Sequence, residues 1–311
     1  MSAAVQIGRP FRVLCDVAEG REQWLEHRHS GIGASEIASV LGESPFASPI
    51  ELYANKIGKY ERDLSEVEAV YWGNKLEAAI LEAYSERTGR STRKAGKLLQ
   101  STEHPWALCT LDGETWQPEA ANDSWPLEIK NASAFKADEW VDGPPRHYYL
   151  QCQQQMLVTG APKATIAALI GGQRMVWADL PRDESTIRKI IYHGSRFWER
   201  IQARDVPAPD GTEGARRALG ALYPDGCGIV ALPRDAMDAA DELEELKRQR
   251  KAAEDRIELI ENTIRAALGD CETGVMPDGR SFSLKLQSRA ACQIPASSFR
   301  VLRLHKPKKR K

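Results

Sequence analysis

The sequence predicts an α/β fold followed by a separate C-terminal arm. Helical and strand-like hydrophobic patterns alternate between residues 20 and 205, as they do in α/β domains. The chain has 311 residues and is 42% hydrophobic, which suffices to bury a large core without disulfides or a structural metal. Beyond a segment rich in Gly, Pro and Asp, a heptad pattern of apolar residues begins near residue 235.

The elements of the α/β region follow from hydrophobic periodicity and from capping residues. Ser35 is a candidate N-cap, a proline opens the third predicted helix, and Gly89 ends the fourth. The predicted helices cover about 21–29, a segment from 34, 49–58, 67–88, 145–160 and 183–204. The predicted strands cover about 93–100, 106–112, 124–130, 163–171 and 174–180.

The C-terminal region divides the chain into three parts in this prediction. Residues 1–205 form the α/β domain, 206–234 a linker or small lobe, and 235–311 an arm. The arm contains a heptad helix over 235–268 and a hairpin with strands at 272–276 and 280–287. The apolar seam of the helix is expected to pack on the same chain, on a sister subunit or on a partner protein.

The last residues carry a strong positive charge. Residues 300–311 contain seven Lys or Arg and no acid, although the whole chain has a net charge of -1. Such a tail is either a solvated end or a contact with a polyanion.

Cysteine spacing and hydropathy exclude several classes of protein. The six cysteines include no CxxC, and no His pair completes a zinc pattern, so zinc fingers and disulfide scaffolds are not expected. The wide spacing also disfavours an iron–sulfur cluster, which needs four converging thiolates. No apolar run is long enough for a transmembrane helix, and no secretory signal is visible.

One group of charged residues predicts a metal-binding site. Asp112 ends a predicted strand, and Glu128 and Lys130 lie on the next one, where alternation points both side chains to one face. Two neighbouring carboxylates repel unless a cation lies between them, and hard oxygen ligands select Mg²⁺ or Mn²⁺. An isolated ExK is usually a surface salt bridge. Here the apolar residues around it indicate a central strand. Burying an acid and a lysine on such a strand costs free energy, so their presence indicates a functional role.

Two further sets of polar residues have open interpretations. Glu77 on the 67–88 helix is either a solvent-facing residue or a third carboxylate at the site. Four glutamines crowd the helix near 151–155, and Gln151 and Gln155 fall on one of its faces. This helix is either partly exposed or part of a polar site.

The order of five motifs resembles a known family. WLEHRHSGIGASE, WGNKLEAAI, LDG, LEIKN and YYLQCQQQMLVTG follow one another between about residues 24 and 160. They resemble the YqaJ-type viral recombinases, a group that includes phage lambda exonuclease within the PD-(D/E)xK nuclease superfamily. The resemblance implies an α/β (α+β) restriction-endonuclease-like core with a central mixed sheet flanked by helices. The long helix and β-hairpin at the C-terminus are additions to that core.

The resemblance also implies an activity. The implied enzyme is a Mg²⁺-dependent (or Mn²⁺-dependent) deoxyribonuclease with two ions per active site. Such an enzyme degrades duplex DNA 5′ to 3′ and leaves 3′ overhangs for phage-type recombination. The implied partners are double-stranded DNA ends, two sister subunits of a homotrimer and a single-strand annealing protein (synaptase). A cytoplasmic location in a bacterial or phage-infected cell is expected.

The same resemblance implies roles for individual residues. Metal ligands would be Glu77, Asp112, Glu128 and the Ile129 carbonyl, with Lys130 and Gln151 as further catalytic residues. Gln153 would support Gln151. Arg28 and Ser35 would hold a 5′ phosphate, because a guanidinium forks onto phosphate and helix N-termini attract anions. Without the resemblance, Arg28 would be a surface ion pair and Ser35 a plain N-cap.

Rival functions remain open at this point. One is a Cas4-like or endonucleolytic nuclease on the same core. Another is a non-catalytic protein that binds DNA ends in recombination. A third makes the C-terminal arm the main functional part, as a coiled-coil interaction module.

Overall fold

The computed structural model describes residues 10–16, 20–120, 123–226 and 228–288. The basic tail at 300–311 therefore lies outside the described residues. The chain forms two compact units, with the boundary between Tyr223 and Pro224. Among the described residues, no helix has the length and apolar character needed to cross a membrane.

The first unit contains most of the regular structure. Its helices are α1 (Arg21–Arg28), α2 (Ile37–Val40), α3 (Pro49–Lys56), α4 (Glu68–Thr88), α5 (Arg146–Thr159), α6 (Glu184–Ala203) and α7 (Glu213–Leu222). Short 3₁₀ turns cover Ala34–Glu36 and Ala134–Trp140. Its strands are β1 (Phe11–Asp16), β2 (Ile32–Gly33), β3 (Ser91–Lys94), β4 (Lys97–Ser101), β5 (Ala107–Thr110), β6 (Gly113–Trp116), β7 (Trp125–Ala132), β8 (Lys163–Ile170) and β9 (Arg174–Pro181).

Two mixed sheets organise this unit. The larger sheet has five strands in the order β3-β6-β7-β8-β9, and only β7 and β8 run parallel. Helix α5 makes the crossover between these two strands, as parallel pairing requires. The smaller sheet has four strands in the order β1-β4-β5-β2, with β2 parallel to β5. The fold class predicted from the sequence, mixed sheets flanked by helices, is confirmed.

Helix α5 is the central helix of the unit. It packs against β4 and β5 of the smaller sheet and also against β7 and β8 of the larger one. Every residue from Leu150 to Val158 is buried. The glutamines of this helix therefore have little or no access to bulk water, and their amides require partners inside the protein.

Helix α4 contacts the larger sheet and packs against β3, β7 and β8. Its apolar residues Ile80 and Tyr84 join Leu127 and Ile129 of β7 in one buried cluster. Strand β7 therefore has α4 on the side of its odd-numbered apolar residues. The even-numbered residues Glu128 and Lys130 therefore face the opposite side of the sheet.

Local sequence signals set several helix ends. The Ser48 hydroxyl accepts a hydrogen bond from the backbone N–H of Glu51, and the Glu51 carboxylate accepts one from the backbone N–H of Ser48. Pro49 occupies the first turn of α3. Helices α4 and α5 both end at a glycine in the left-handed conformation, Gly89 and Gly160. These ends agree with the predicted ones to within about two residues.

The second unit contains helix α8 (Asp235–Leu268) and the hairpin strands β10 (Thr273–Val275) and β11 (Ser281–Ser283). The two strands pair antiparallel, and Gly274 lies against the side chain of Leu268. Within 206–234, the segment predicted as a linker or small lobe, α7 packs against α3 in the first unit.

Three details of the strand prediction are wrong. The single strand expected at 93–100 is two strands, β3 and β4, which belong to different sheets. The segment 114–123, predicted as a loop, contains most of strand β6, and β1 was not predicted. The chain turns between the sheets at Gly96, which has a φ of +61°, a conformation that costs glycine little.

We expect Gly194→Ala in α6 to destabilise the protein. An added Cβ at Gly194 would lie 2.3 Å from the ring of Trp106, which is itself buried, so the core would have to shift at a cost of about 1–3 kcal/mol. Gly220→Ala in α7 is the matched control, because nothing lies within 4 Å of its added Cβ. It should stabilise the protein by up to about 1 kcal/mol through helix propensity. Chemical denaturation of both variants measures the difference, and equal effects would contradict this packing.

Candidate active site

Asp112 lies where the chain passes from the smaller sheet to the larger one. Strand β5 ends at Thr110 and β6 begins at Gly113, so Asp112 belongs to neither sheet. Its carboxylate accepts a 2.8 Å hydrogen bond from the backbone N–H of Ile129 on β7. This bond joins the turn between the sheets to the middle of the central strand.

Glu128 and Lys130 extend from β7 toward helix α5. The Lys130 ammonium forms a short ion pair with the Glu128 carboxylate, and Glu128 is only 1% exposed. Lys130 also lies over the ring of Tyr148, 5.0 Å from its centroid. The common face that strand alternation predicts for the two side chains is the arrangement found.

The glutamines of α5 have three different functions. Gln151 and Gln155, one helical turn apart, donate to the two carboxylate oxygens of Glu128, with 2.6 Å for the Gln151 bond. Gln153 bonds instead to the backbone of Pro181 and Asp183, so it has no hydrogen bond with Gln151 or Glu128. Gln154 is likewise fully buried and donates to the carbonyls of Ile32 and Leu108 in the smaller sheet.

Burial and mutual charge determine the protonation of this cluster. Burial, and next the negative charge of Glu128, raise the pKa of Asp112 well above its usual range, and Lys130 offsets this only in part. Burial disfavours the charged form of Lys130, but the carboxylates of Glu128 and Asp112 outweigh it and raise the pKa of the lysine. Lys130 is therefore held as a cation, whereas the surroundings of Asp112 disfavour its charged form.

Glu77 reaches the edge of the same cluster from helix α4. Its carboxylate forms a 3.1 Å ion pair with Lys94 on β3, and its charge contributes to the raised pKa of Asp112. The glycine after Asp112 allows this approach, because a Cβ at Gly113 would lie 2.9 Å from Leu81, one turn after Glu77 on α4.

The donor set of the cluster suits a hard divalent cation. Asp112, Glu128 and Glu77 supply carboxylate oxygens, and the buried amide oxygen of Gln155 has no hydrogen-bond partner in the described chain. Within the described residues, no three His, Cys, Asp or Glu side chains lie close enough together to form a metal-ligand group. Glu77 is paired with Lys94, and Glu128 is paired with Lys130.

A second polar cluster contains Arg28 and Ser35. Arg28, at the end of α1, donates to Glu36 at 3.0 Å and lies 3.4 Å from the hydroxyl of Ser35. Lys56, the last residue of α3, is fully buried and contacts both Glu36, at 2.7 Å, and the carbonyl of Arg28. Burial opposes the charge of Glu36, but Lys56 and Arg28 lower its pKa to about 2. Two cations and one carboxylate leave the cluster with a net positive charge.

This second cluster borders a large open cavity. The cavity measures about 960 Å³ and is lined by residues of α1, α3 and the start of α4. Its lining includes Trp24, Arg28, Arg62, Tyr71 and Asn74. Trp24, which lines this cavity, also contacts the strand that leads to the acid cluster. Its indole lies 3.5 Å from the hydroxyl of Thr110, and Thr110 is two residues before Asp112.

The structure brings the predicted site residues together in two groups. Asp112, Glu128, Lys130 and Gln151 form one buried network, with Glu77 at its edge, and Arg28 and Ser35 form the other. Sequence reasoning did not assign roles to Gln155, Glu36 or Lys56. The spacing of Gln155 from Gln151 was a usable signal, whereas nothing in the sequence near Lys56 indicated its contact with Glu36.

The first unit therefore has an acid–lysine cluster on a mixed sheet, and a second cluster with a net positive charge that borders an open cavity. In a comparison with known families, residues 23–162 match the model described as the YqaJ-like viral recombinase domain. The match confirms the resemblance that the motifs indicated, because this segment of the chain is similar to the YqaJ-like viral recombinase domain.

Two relatives illustrate the family. The uncharacterised protein YqaJ of Bacillus subtilis is 29% identical over 267 residues, which are 82% of this chain and 80% of the relative. An uncharacterised protein of Acanthamoeba polyphaga mimivirus is 28% identical over 179 residues, 53% of this chain but only 32% of the mimivirus protein.

Solved structures with partial similarity include two exonucleases. The alkaline exonuclease LHK-Exo of Laribacter hongkongensis is 20% identical with a TM-score of 0.47, over 59% of this chain and 93% of its own. A phage-related exonuclease of Haemophilus somnus is 13% identical with a TM-score of 0.41, over 58% and 99% of the two chains.

We expect Lys56→Met to lower the free energy of unfolding by about 3–5 kcal/mol at pH 7, because it leaves Glu36 buried with one cation fewer. Chemical denaturation measures the loss. Lys59→Met is the matched control, since Lys59 is exposed on the following turn, and it should change stability by less than about 0.5 kcal/mol. Equal losses in the two variants would contradict a structural role for the buried lysine.

The same cluster predicts a pH dependence. The pKa of Glu36 is lowered from 4.5 to about 2, so its ion pairs stabilise the fold above pH 4.5. This stabilisation, on the order of 3 kcal/mol, is lost as the pH falls toward 2. Denaturation curves between pH 2 and 5 should show this loss in the native chain, and Glu36→Gln should abolish that part of the slope.

Proposed function

We propose that the chain is a Mg²⁺-dependent deoxyribonuclease that degrades one strand of duplex DNA from a 5′ end and leaves a 3′ overhang. The observation that carries this proposal is the buried network of Asp112, Glu128 and Lys130. A structural salt bridge does not require two carboxylates, a lysine and two glutamine donors on one side of a central strand. The family description, a viral recombinase domain, is consistent with an enzyme that prepares DNA ends.

The residues of the network have distinct roles in this proposal. Lys130 is held as a cation by Glu128 and Asp112, so it can donate to a phosphate oxygen and stabilise the negative charge that develops there. Gln151 and Gln155 fix both oxygens of Glu128, which sets the direction in which Lys130 points. The Ile129 N–H holds Asp112 beside them.

The metal ions of this proposal are Mg²⁺ or Mn²⁺, two in each site. Asp112 and Glu128 would hold them, with the Ile129 carbonyl and Glu77 as further ligands. When bound, a divalent ion supplies charge neutralisation at the phosphate. It would also favour the charged form of Asp112, whose pKa is raised by burial and next by the negative charge of Glu128.

The cationic cluster is the proposed pocket for a 5′ phosphate. The guanidinium of Arg28 and the hydroxyl of Ser35 lie 3.4 Å apart beside the open cavity, so one phosphate group could contact both. Two contacts fix the orientation of Arg28. Glu36 pairs with its guanidinium, and Lys56 donates a hydrogen bond to its backbone carbonyl. A fixed guanidinium loses little entropy when it binds phosphate.

The assembly and partners of the enzyme are proposed from the family resemblance alone. They are a homotrimer of nuclease domains, double-stranded DNA ends as substrate, and a single-strand annealing protein that receives the 3′ overhang.

We expect Lys130→Ala to abolish cleavage while DNA binding is retained, because the phosphate contacts of the second cluster remain. The loss should be at least about 10²–10³-fold. The assay is digestion of a linear duplex labelled at either the 5′ or the 3′ end, with and without Mg²⁺, beside a closed circle. Lys136→Ala is the matched control, since Lys136 pairs with Glu139 outside the network.

Several outcomes would overturn the proposal. Near-native turnover of Lys130→Ala would remove the lysine from the chemistry. Cleavage of the closed circle would indicate an endonuclease. DNA binding with no metal-dependent cleavage by the native chain would indicate a protein that only binds ends.

We expect Arg28→Ala to abolish the preference for phosphorylated over hydroxyl 5′ ends and to leave a slow residual rate. Initial rates on the two kinds of end, measured for the native chain and the variant, give this preference as a ratio. If both chains show a ratio near one, Arg28 and Ser35 do not form a phosphate pocket.

A further inference from the structure

The apolar seam of helix α8 lies open along the helix. Leu246 keeps 53% of its surface exposed and Ile257 keeps 56%, and no described residue of α8 is buried. A repeated stripe of such side chains along about 50 Å of helix is normally covered by another helix. The seam consists of Ala236, Ala239, Leu243, Leu246, Arg250, Ala253, Ile257, Ile260, Ile264 and Ala267.

We propose that α8 binds the α8 helix of a second copy of this chain as an antiparallel two-stranded coiled coil. A two-fold axis at the midpoint of α8 aligns the seams over the whole helix, from Asp235 against Leu268 of the other copy. Leu243 then lies opposite Ile260, and Leu246 opposite Ile257. The four largest apolar side chains of the central seam thus face one another, and both helix ends coincide.

The single charged seam residue favours this orientation. In the antiparallel pair, Arg250 lies opposite the small Ala253, so its aliphatic stem fills the space while the guanidinium reaches water. The guanidinium already lies 3.4 Å from Glu254 of its own helix. A parallel pair would place the two Arg250 side chains against each other in one layer, where like charges repel.

Charges beside the seam are complementary in the antiparallel pair. Glu242 lies beside Arg256 of the other copy, and Lys247 beside Glu261, and each contact occurs twice because of the symmetry. Glu254 is the exception, since it faces the same residue of the second copy near the axis. The ion pair of each Glu254 with its own Arg250 reduces this repulsion.

A charge-swap series on the full chain tests the pairing. Self-association is measured as molar mass against concentration, by light scattering or sedimentation. Glu242→Lys should weaken it about tenfold, because two attractive contacts become repulsive. Glu242→Lys with Arg256→Glu should restore it, since the charges exchange sides. Glu244→Lys, the same charge change on the outer face of the helix, should have little effect.

The orientation has its own test. In a parallel coil Glu242 would lie beside Lys247, so Glu242→Lys with Lys247→Glu would restore association, whereas an antiparallel coil is weakened further by that combination. Association through other surfaces is common to all the variants and does not affect their comparison. Rescue by the Lys247 swap, insensitivity to every charge change, or a native chain that does not self-associate would each overturn the proposal.

Discussion

The buried carboxylate of Glu128 is the constraint around which the first unit is arranged. A carboxylate that is almost without solvent contact destabilises the fold unless it is paired and hydrogen-bonded. Lys130 provides the charge, and Gln151 and Gln155 provide the hydrogen bonds. These contacts require α5 to lie directly against β7, so the position of the central helix and the chemistry of the site depend on one another.

The same physical solution occurs in the second cluster. Glu36 is buried between two cations, Lys56 and Arg28, and a backbone N–H of Gly33 completes its hydrogen bonds. In both places a buried acid orients a cation whose side chain is partly exposed. Removing one partner from such a cluster leaves an unpaired charge in the interior, so each cluster stabilises the fold only as a complete set. Under the proposed function, activity and stability are therefore coupled at Arg28 and at Lys130.

The two units differ in how their apolar surface is covered. In the first unit, α5 is surrounded by both sheets, and its side chains are buried all round. In the second, the described residues of that unit leave the seam of α8 exposed. A helix that obtains its buried partners from its own fold needs no second molecule, whereas a heptad seam acquires its stability by association.

The sequence by itself determined the fold class, most helix ends and the common face of Glu128 and Lys130. These follow from hydrophobic periodicity, from capping residues and from strand alternation, all of which act over a few residues. Only the tertiary structure decided that residues 93–100 divide between two sheets and that Gln155, rather than Gln153, reaches Glu128. Both outcomes depend on which distant surface lies opposite a residue, and in the case of α5 two sheets compete for one helix. The local sequence does not determine which of these distant surfaces a residue packs against.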